Sequence, residues 1–229
     1  PEVIDLINFL NDSGANIRFI SKRSILIKGV GNLKGTKYKI MPDRIEAGTY
    51  IVASAITNSP LVLNNIFLDH IKNIINVLKK IGLKFKILSN TSLKVIPSKL
   101  KPIKIKTVPY PGFPTDMQAQ LMSLLVLTKG NSEIKEDIFE NRFLHVLELQ
   151  RMGAKIAIKN NKAKIVGVSN LSGAQVMATD LRASVCLVLA GLVATGKTVI
   201  NRIYHLERGY EDLVKKLKKC GAKIKTINA

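Results

Sequence analysis

One short pattern recurs four times along the 229 residues: Leu10-x-x-x-Gly14-Ala15-x-Ile17, Leu78-x-x-x-Gly82-Leu83-x-Phe85, Leu149-x-x-x-Gly153-Ala154-x-Ile156 and Leu217-x-x-x-Gly221-Ala222-x-Ile224. The glycines are spaced by 68, 71 and 68 residues. Before each glycine the apolar residues fall at helical spacing, as in Ile71, Ile74, Ile75 and Leu78, and after it they alternate. A helix stopped by a C′ glycine and followed at once by a strand accounts for both patterns. Alternation returns in Lys84 to Leu88, Ser92 to Ile96 and Ile103 to Val108, and Leu61 to Ile66 reads as a further strand. The chain is therefore expected to be built from modules of about 70 residues, each of βαββ type with an additional buried helix.

The additional helices are opened by a distinctive layout: Pro42-Asp43-Arg44-Ile45-Glu46-Ala47-Gly48-Thr49, Pro114-Thr115-Asp116-Met117-Gln118-Ala119-Gln120 and Thr179-Asp180-Leu181-Arg182-Ala183-Ser184. Each places Asp or Thr in the N-cap region ahead of an almost wholly apolar run, so each helix start is expected to offer free N–H groups and a positive dipole end to an anion. Three such starts suggest a phosphate-rich ligand. Helices apolar on all sides must be enclosed, whereas the glycine-terminated helices read as amphipathic; the expected fold class is α/β, with helices inside and sheet outside.

Phase matters as much as period. Residue 1 falls inside a glycine-terminated helix, so residues 1–40 are expected to be the truncated tail of one domain and 41–229 to hold a second, with two complete modules and a third ending after a strand at Ile227. The first residue is Pro1 with neither an initiator methionine nor a signal-peptide pattern, which suggests a start within a longer protein. The longest apolar run, Val185 to Ala194, is half the roughly 20 residues a membrane span needs.

A net charge of +20 raises nucleic acid or an anionic membrane as a partner. The charge is mostly scattered lysine amid isoleucine and asparagine, the bias that AT-rich codons give, and aromatic residues make up only 5% with no tryptophan for stacking on bases. Neither partner is expected. Cys186 and Cys220 lie in helical patterns and form neither a disulfide framework nor a metal spacing, so a reducing cytoplasm, no metal and no cofactor are expected. No glycine-rich phosphate loop and no nucleophile elbow is present.

Against that lysine background, arginine at positions 44, 142, 182 and 208 stands out, because the planar guanidinium grips carboxylate and phosphate bidentately and stays charged when desolvated. Arg142 and Arg208 lie in two polar clusters, Phe139 to His145 and Tyr204 to Glu211, each just before a glycine-terminated helix. His145 and His205 flank these arginines and read as local packing or hydrogen-bonding groups, His70 as a surface residue.

Five stretches, Met41 to Thr49, Pro111 to Gln120, Glu140 to His145, Leu171 to Ala183 and Tyr204 to Glu211, together resemble the UDP-N-acetylglucosamine enolpyruvyl (1-carboxyvinyl) transferase family, in the family's order and across nearly the whole chain. The resemblance implies two inside-out α/β barrels of three similar modules each, with the active site between them, and transfer of enolpyruvate from phosphoenolpyruvate to the sugar's 3-hydroxyl at the first committed step of peptidoglycan synthesis. It implies that Asp116 is the general base or orients that hydroxyl, that Arg142, Arg182 and Arg208 hold phosphoenolpyruvate and stabilise the tetrahedral intermediate, and that Asp180 organises the cluster. Ile138 would contact the nucleotide sugar through its backbone, with Thr115 and Arg44 near the cleft.

The family's Lys-Asn pair, its mobile loop with the proton-donating cysteine and its first-half arginines have no counterpart here, and neither Cys186 nor Cys220 matches that cysteine. The chain alone is therefore expected to be inactive without the other half of the enzyme. Rival readings are the shikimate-pathway enolpyruvyl transferase, an RNA-binding module of related architecture, and a split half without catalysis of its own. An orphan segment 1–40 would also expose strand edges and apolar faces, which favours aggregation.

Overall fold

The computed structural model describes residues 1–227 and divides the chain into two compact units, Pro1–Asp43 and the remainder from Arg44. The first unit holds helix α1 (Glu2–Asp12) and the antiparallel hairpin β1 (Asn16–Ser21) and β2 (Ser24–Lys28). Its apolar residues are largely uncovered: Ile20, Ile27 and Ile40 are 61, 62 and 76% exposed.

The second unit repeats one order of elements. Its first module runs α2 (Arg44–Ile56), β3 (Leu61–Asn64), α3 (Leu68–Lys80), β4 (Lys84–Ser89), β5 (Ser92–Ile96) and β6 (Lys104–Lys106). The second runs from a 3₁₀ turn (Thr115–Met117) into α4 (Gln118–Val126), then β7 (Asn131–Lys135), α5 (His145–Arg151), β8 (Lys155–Lys159), β9 (Lys162–Val166) and β10 (Gln175–Met177). The third holds α6 (Leu181–Gly191), β11 (Val199–Asn201), the short α7 (Tyr204–Glu207) and α8 (Leu213–Lys219).

The four repeated glycines have φ between +93° and +106°, a conformation that costs a residue with a side chain and suits glycine. Around each, the N–H of the residue after the glycine bonds to the leucine carbonyl five residues back, as in Leu83 to Leu78 and Ala154 to Leu149, while the glycine N–H bonds to the carbonyl three residues back. This is the Schellman arrangement, and it explains the spacing of the motif: leucine is the first partner, glycine the left-handed residue, and the next residue the apolar contact.

Sheet order follows the same logic. The strand closing one module pairs in parallel with the strand after the next buried helix, β6 with β7 and β10 with β11, while the hairpin strands pair antiparallel, giving sheets β3-β5-β4 and β6-β7-β9-β8. Among their inward residues, Leu93, Val95, Ile134, Ala163 and Ile165 are at most 1% exposed. Every residue of α4 is buried, as are eight of the eleven in α6, and α2, α4 and α6 pack on one another. Helices lie inside and sheet outside.

Two expectations need correction. The strand expected near Ile224–Ile227 does not form: Ala222 to Ile227 pairs with no strand among the described residues, whereas β4 and β8, which follow the equivalent glycines, are each held by a hairpin partner. The apolar run to Ala194 also outlasts its helix, since α6 ends at Gly191. No helix among the described residues is long and apolar enough to cross a membrane.

Candidate functional site

The N-terminal halves of the three enclosed helices converge on one hydroxyl, that of Tyr210. Thr49 of α2 donates to the carbonyl of Ile45 at 2.9 Å, so its oxygen is left to accept from Tyr210 at 2.9 Å and from the side-chain amide of Gln120 of α4 at 3.3 Å. The Tyr210 oxygen in turn accepts from Gln120 at 3.3 Å and from Nη1 of Arg182, in α6, at 3.4 Å. Burial pushes the phenol of Tyr210 up and keeps it a donor.

From this platform Arg182 reaches outward. Its Nη2 lies 2.9 Å from one oxygen of Asp116, and Nη2 of Arg142 lies 2.9 Å from the other. One carboxylate thus bridges two guanidiniums that sequence separates from it by 66 and 26 residues. Both arginines are largely covered, with side chains 15% and 14% exposed. Burial opposes the charge on Arg182, but Tyr210 and Asp116 outweigh it and hold its pKa above the ordinary value. A carboxylate has about four acceptor positions. Two guanidiniums occupy two, so Asp116 can still accept from a ligand hydroxyl. The Arg142 guanidinium also lies 4.9 Å from the centre of the Phe139 ring.

Beside Asp116, the buried carboxylate of Glu136 accepts four hydrogen bonds: from Thr107 Oγ1 at 2.8 Å, from the backbone N–H groups of Ile138 and Phe139 at 2.8 and 3.1 Å, and from Thr115 Oγ1 at 2.9 Å. Ile138 and Phe139 are exposed and border a groove of about 870 Å³ that Arg142, Leu147, Ile158 and Asn161 also line.

The expected anion sites at the helix starts are not open alike. Asp180 is the N-cap of α6, and its carboxylate already accepts from the N–H groups of Arg182 at 2.7 Å and Ala183 at 2.9 Å, so those donors serve the helix. Asp116 is not a cap at all; it sits inside the 3₁₀ turn and gives its charge to the arginines. His145, 1% exposed at the start of α5, is held neutral: burial pulls its pKa down to about 4, assisted by Arg142 and opposed by Asp180. Its Nε2 finds no hydrogen-bond partner among the described residues. Arg208 is exposed just after α7 and pairs with none of the described residues. The Arg44 guanidinium lies 5.6 Å from the centre of the Tyr110 ring. Of the residues expected in the site, Asp116, Arg142 and Arg182 are in direct contact. Thr115 and Ile138 join them through Glu136, and Asp180 through the backbone of Arg182.

Sequence reasoning passed over Glu136, Tyr210 and the Thr49–Gln120 pair as working residues. For Glu136 a signal existed: Ser132 and Ile134 face inward on β7, and position 136 continues that phase, so a carboxylate there points where an apolar residue is expected. Among the described residues, no group of three His, Cys, Asp or Glu side chains could hold a metal.

Comparison with known proteins places these residues in context. The model of the EPSP synthase (3-phosphoshikimate 1-carboxyvinyltransferase) family matches residues 1–217. The chain is 58% identical over 228 residues to a UDP-N-acetylglucosamine 1-carboxyvinyltransferase of Pelagibacter ubique, covering 100% of this chain and 55% of that protein. It is 51% identical over 225 residues to a UDP-N-acetylglucosamine 1-carboxyvinyltransferase of Caldanaerobacter subterraneus subsp. tengcongensis, covering 98% and 54%. The chain spans about half the length of the curated relatives it matches. Among solved structures, the enolpyruvyl transferase NikO from Streptomyces tendae superposes with a TM-score of 0.87 at 29% identity, over 97% of this chain and 54% of that one. The family match extends from the first residue to Leu217, the last residue of the buried core, and the chain accordingly belongs to the EPSP synthase (3-phosphoshikimate 1-carboxyvinyltransferase) family.

Proposed function

We propose that this chain is the C-terminal portion of an enzyme that transfers enolpyruvate from phosphoenolpyruvate to the 3-hydroxyl of UDP-N-acetylglucosamine, in the cytoplasm, as the committed step of peptidoglycan synthesis. The observation that carries the reading is the Asp116 carboxylate bridging Arg142 and Arg182 at 2.9 Å on each side. Support comes also from relatives at 58% and 51% identity that bear the name of that activity.

In this reading the sugar hydroxyl takes the place that Asp116 leaves open. Its proton passes to, or is oriented by, the carboxylate while the oxygen adds to C2 of phosphoenolpyruvate and C3 gains a proton, giving a tetrahedral phosphate-bearing intermediate. Loss of a C3 proton and departure of phosphate then restore the double bond. Phosphoenolpyruvate carries a carboxylate and a phosphate. Arg142, Arg182 and Arg208 offset by Asp116 present the complementary positive charge, and Arg208, exposed and unpaired among the described residues, would close on the ligand. Asp180 fixes the start of α6 and so the root of Arg182. Arg44 and Thr115 lie at the margin of the ligand, and Ile138 offers its backbone to the nucleotide sugar. The proton donor at C3 belongs to the portion by which the relatives are longer, so the chain by itself is inactive.

The test is phosphate release from phosphoenolpyruvate with UDP-N-acetylglucosamine present or omitted, by this chain alone and then with the remaining portion supplied. Sugar-dependent release from the reconstituted protein alone is the expected result. Release with 3-phosphoshikimate instead would replace the substrate assignment, and none with either, from folded pieces, would overturn the reading.

A further inference from the structure

The geometry points to Glu136 as the positioning residue for the nucleotide-sugar side of the site: its single buried carboxylate ties the Thr115–Asp116 turn to the Ile138–Phe139 loop. This inference rests on the transferase reading for the identity of the ligand, but not for the hold itself.

Glu136 is 3% exposed and closes a ring of contacts. One oxygen takes the Thr115 hydroxyl; Asp116 follows in sequence and binds Arg142; the Arg142 guanidinium lies against the Phe139 ring; and the Phe139 amide returns to the other Glu136 oxygen, beside the Ile138 amide and the Thr107 hydroxyl. Without the carboxylate, two backbone N–H groups and the Thr115 hydroxyl lose their acceptor in one stroke, and the Thr107 hydroxyl keeps only a long contact with the Lys135 carbonyl. Asp137 is held by Lys106, Lys135 and Asn161, but Ile138 and Phe139 just after it are 41 and 59% exposed and bury little apolar surface, so beyond Asp137 the loop depends on the Glu136 carboxylate. Arg182, by contrast, is held by Asp116 and Tyr210 and does not touch the ring's Glu136 side. Loss of Glu136 should therefore disturb the end of the site next to Ile138 far more than the arginine end.

The substitutions separate shape from hydrogen bonding. Glu136→Gln can keep the hold on the loop, because its amide oxygen has two lone pairs for the Ile138 and Phe139 N–H groups, its NH₂ donates to a Thr115 hydroxyl that reverses direction, and the Thr107 hydroxyl can turn to the Lys135 carbonyl. Glu136→Met fills similar space and accepts none of these hydrogen bonds. In the protein completed with its remaining portion, Glu136→Met is expected to raise KM for UDP-N-acetylglucosamine about tenfold or more while KM for phosphoenolpyruvate moves less than about threefold, and Glu136→Gln is expected to restore sugar KM to within about threefold of the original. A second readout needs no activity: hydrogen exchange at the Ile138 and Phe139 amides in this chain should quicken at least about tenfold in Glu136→Met and little in Glu136→Gln.

Unchanged exchange in Glu136→Met, an unmoved sugar KM, or equal effects on both substrates would each overturn the assignment. If the completed parent protein releases no phosphate with the sugar, the transferase reading fails, and the exchange comparison alone decides whether Glu136 holds the loop.

Discussion

His145 makes the stability of this chain depend on pH, because its ring is buried in the folded chain and open to water in the unfolded one. The ring is 1% exposed at the start of α5, and burial brings its pKa from 6.5 down to about 4. Two charges face it: Asp180 favours the protonated ring and Arg142 disfavours it, both smaller than desolvation. The unfolded chain thus binds a proton at this residue between about pH 6.5 and 4 while the folded chain does not, so folding stability rises with pH across that interval. The contribution is complete above the upper limit, is lost as pH falls through the window, and is flat below it. From 6.5 to about 4, at about 1.4 kcal/mol per decade, the full loss is roughly 3 kcal/mol, of which about 2 kcal/mol is gone by about pH 5.

The assay is urea unfolding followed by far-ultraviolet circular dichroism at about pH 7.5 and about pH 5, for the parent chain and for His145→Gln, which cannot take up a proton. Carboxylates that titrate in both proteins cancel in the comparison. The parent should lose about 2 kcal/mol more than the variant between the two conditions, even though the variant is less stable at the higher pH through lost packing. Parallel pH dependence in the two proteins would refute the reasoning, because it would mean that the ring is protonated in the folded chain or reaches solvent.

Other substitutions probe the bridge and the platform beneath it. Arg182→Ala in the completed protein should lower turnover by about 10²–10³ while Tm falls only slightly, since Asp116 keeps Arg142; steady-state phosphate release and thermal melting read the two effects. Asp116→Asn leaves two covered guanidiniums without their shared counter-charge, so added inorganic phosphate should raise its Tm more than that of the parent chain. Tyr210→Phe removes the oxygen that Gln120 and Arg182 share and should cost about 1–2 kcal/mol, a fall in Tm of a few degrees. Alanine at Gly82 should destabilise more than alanine at Gly153: both have positive φ, but at Gly82 a Cβ would lie 2.7 Å from the Lys99 carbonyl oxygen, and at Gly153 nothing lies within 4 Å. Equal unfolding midpoints for those two variants would contradict the close approach.

What could be read from sequence divides by the range of the forces involved. The Leu-x-x-x-Gly motif was legible because a Schellman turn is closed by hydrogen bonds within six residues, so its chemistry is written in adjacent positions. The enclosed helices were legible because an apolar surface all round a helix has only one place to go. The strand expected after Gly221 was not secured by its own alternation, since a strand is made by its neighbour and Ile224 to Ile227 has no ladder partner among the described residues. The site shows the same division. The family resemblance brought Asp116, Arg142 and Arg182 into one cluster, but that both guanidiniums would share one carboxylate is a pairing across 26 and 66 residues that no local pattern encodes. Glu136 went unnoticed because an acidic residue just past a strand reads as surface until the register shows that it continues the inward phase.

The repeat also explains how a quasi-symmetric scaffold yields an asymmetric site. Thr115-Asp116 and Thr179-Asp180 are the same dipeptide at the openings of equivalent buried helices, yet their carboxylates do opposite things. Asp180 has an extended backbone, φ −154° and ψ 176°, which turns its side chain back onto the N–H groups of the helix that it starts. Asp116 lies within a 3₁₀ turn, with Pro114 ahead of it in the extended conformation, so its carboxylate makes no capping bond and its charge is available to Arg142 and Arg182. One carboxylate therefore builds the helix from which Arg182 projects, and the other receives that arginine. The division of labour arises from where each helix begins relative to its aspartate, and shifting a helix start by a single turn is enough to turn a capping residue into one whose charge is left for the arginines.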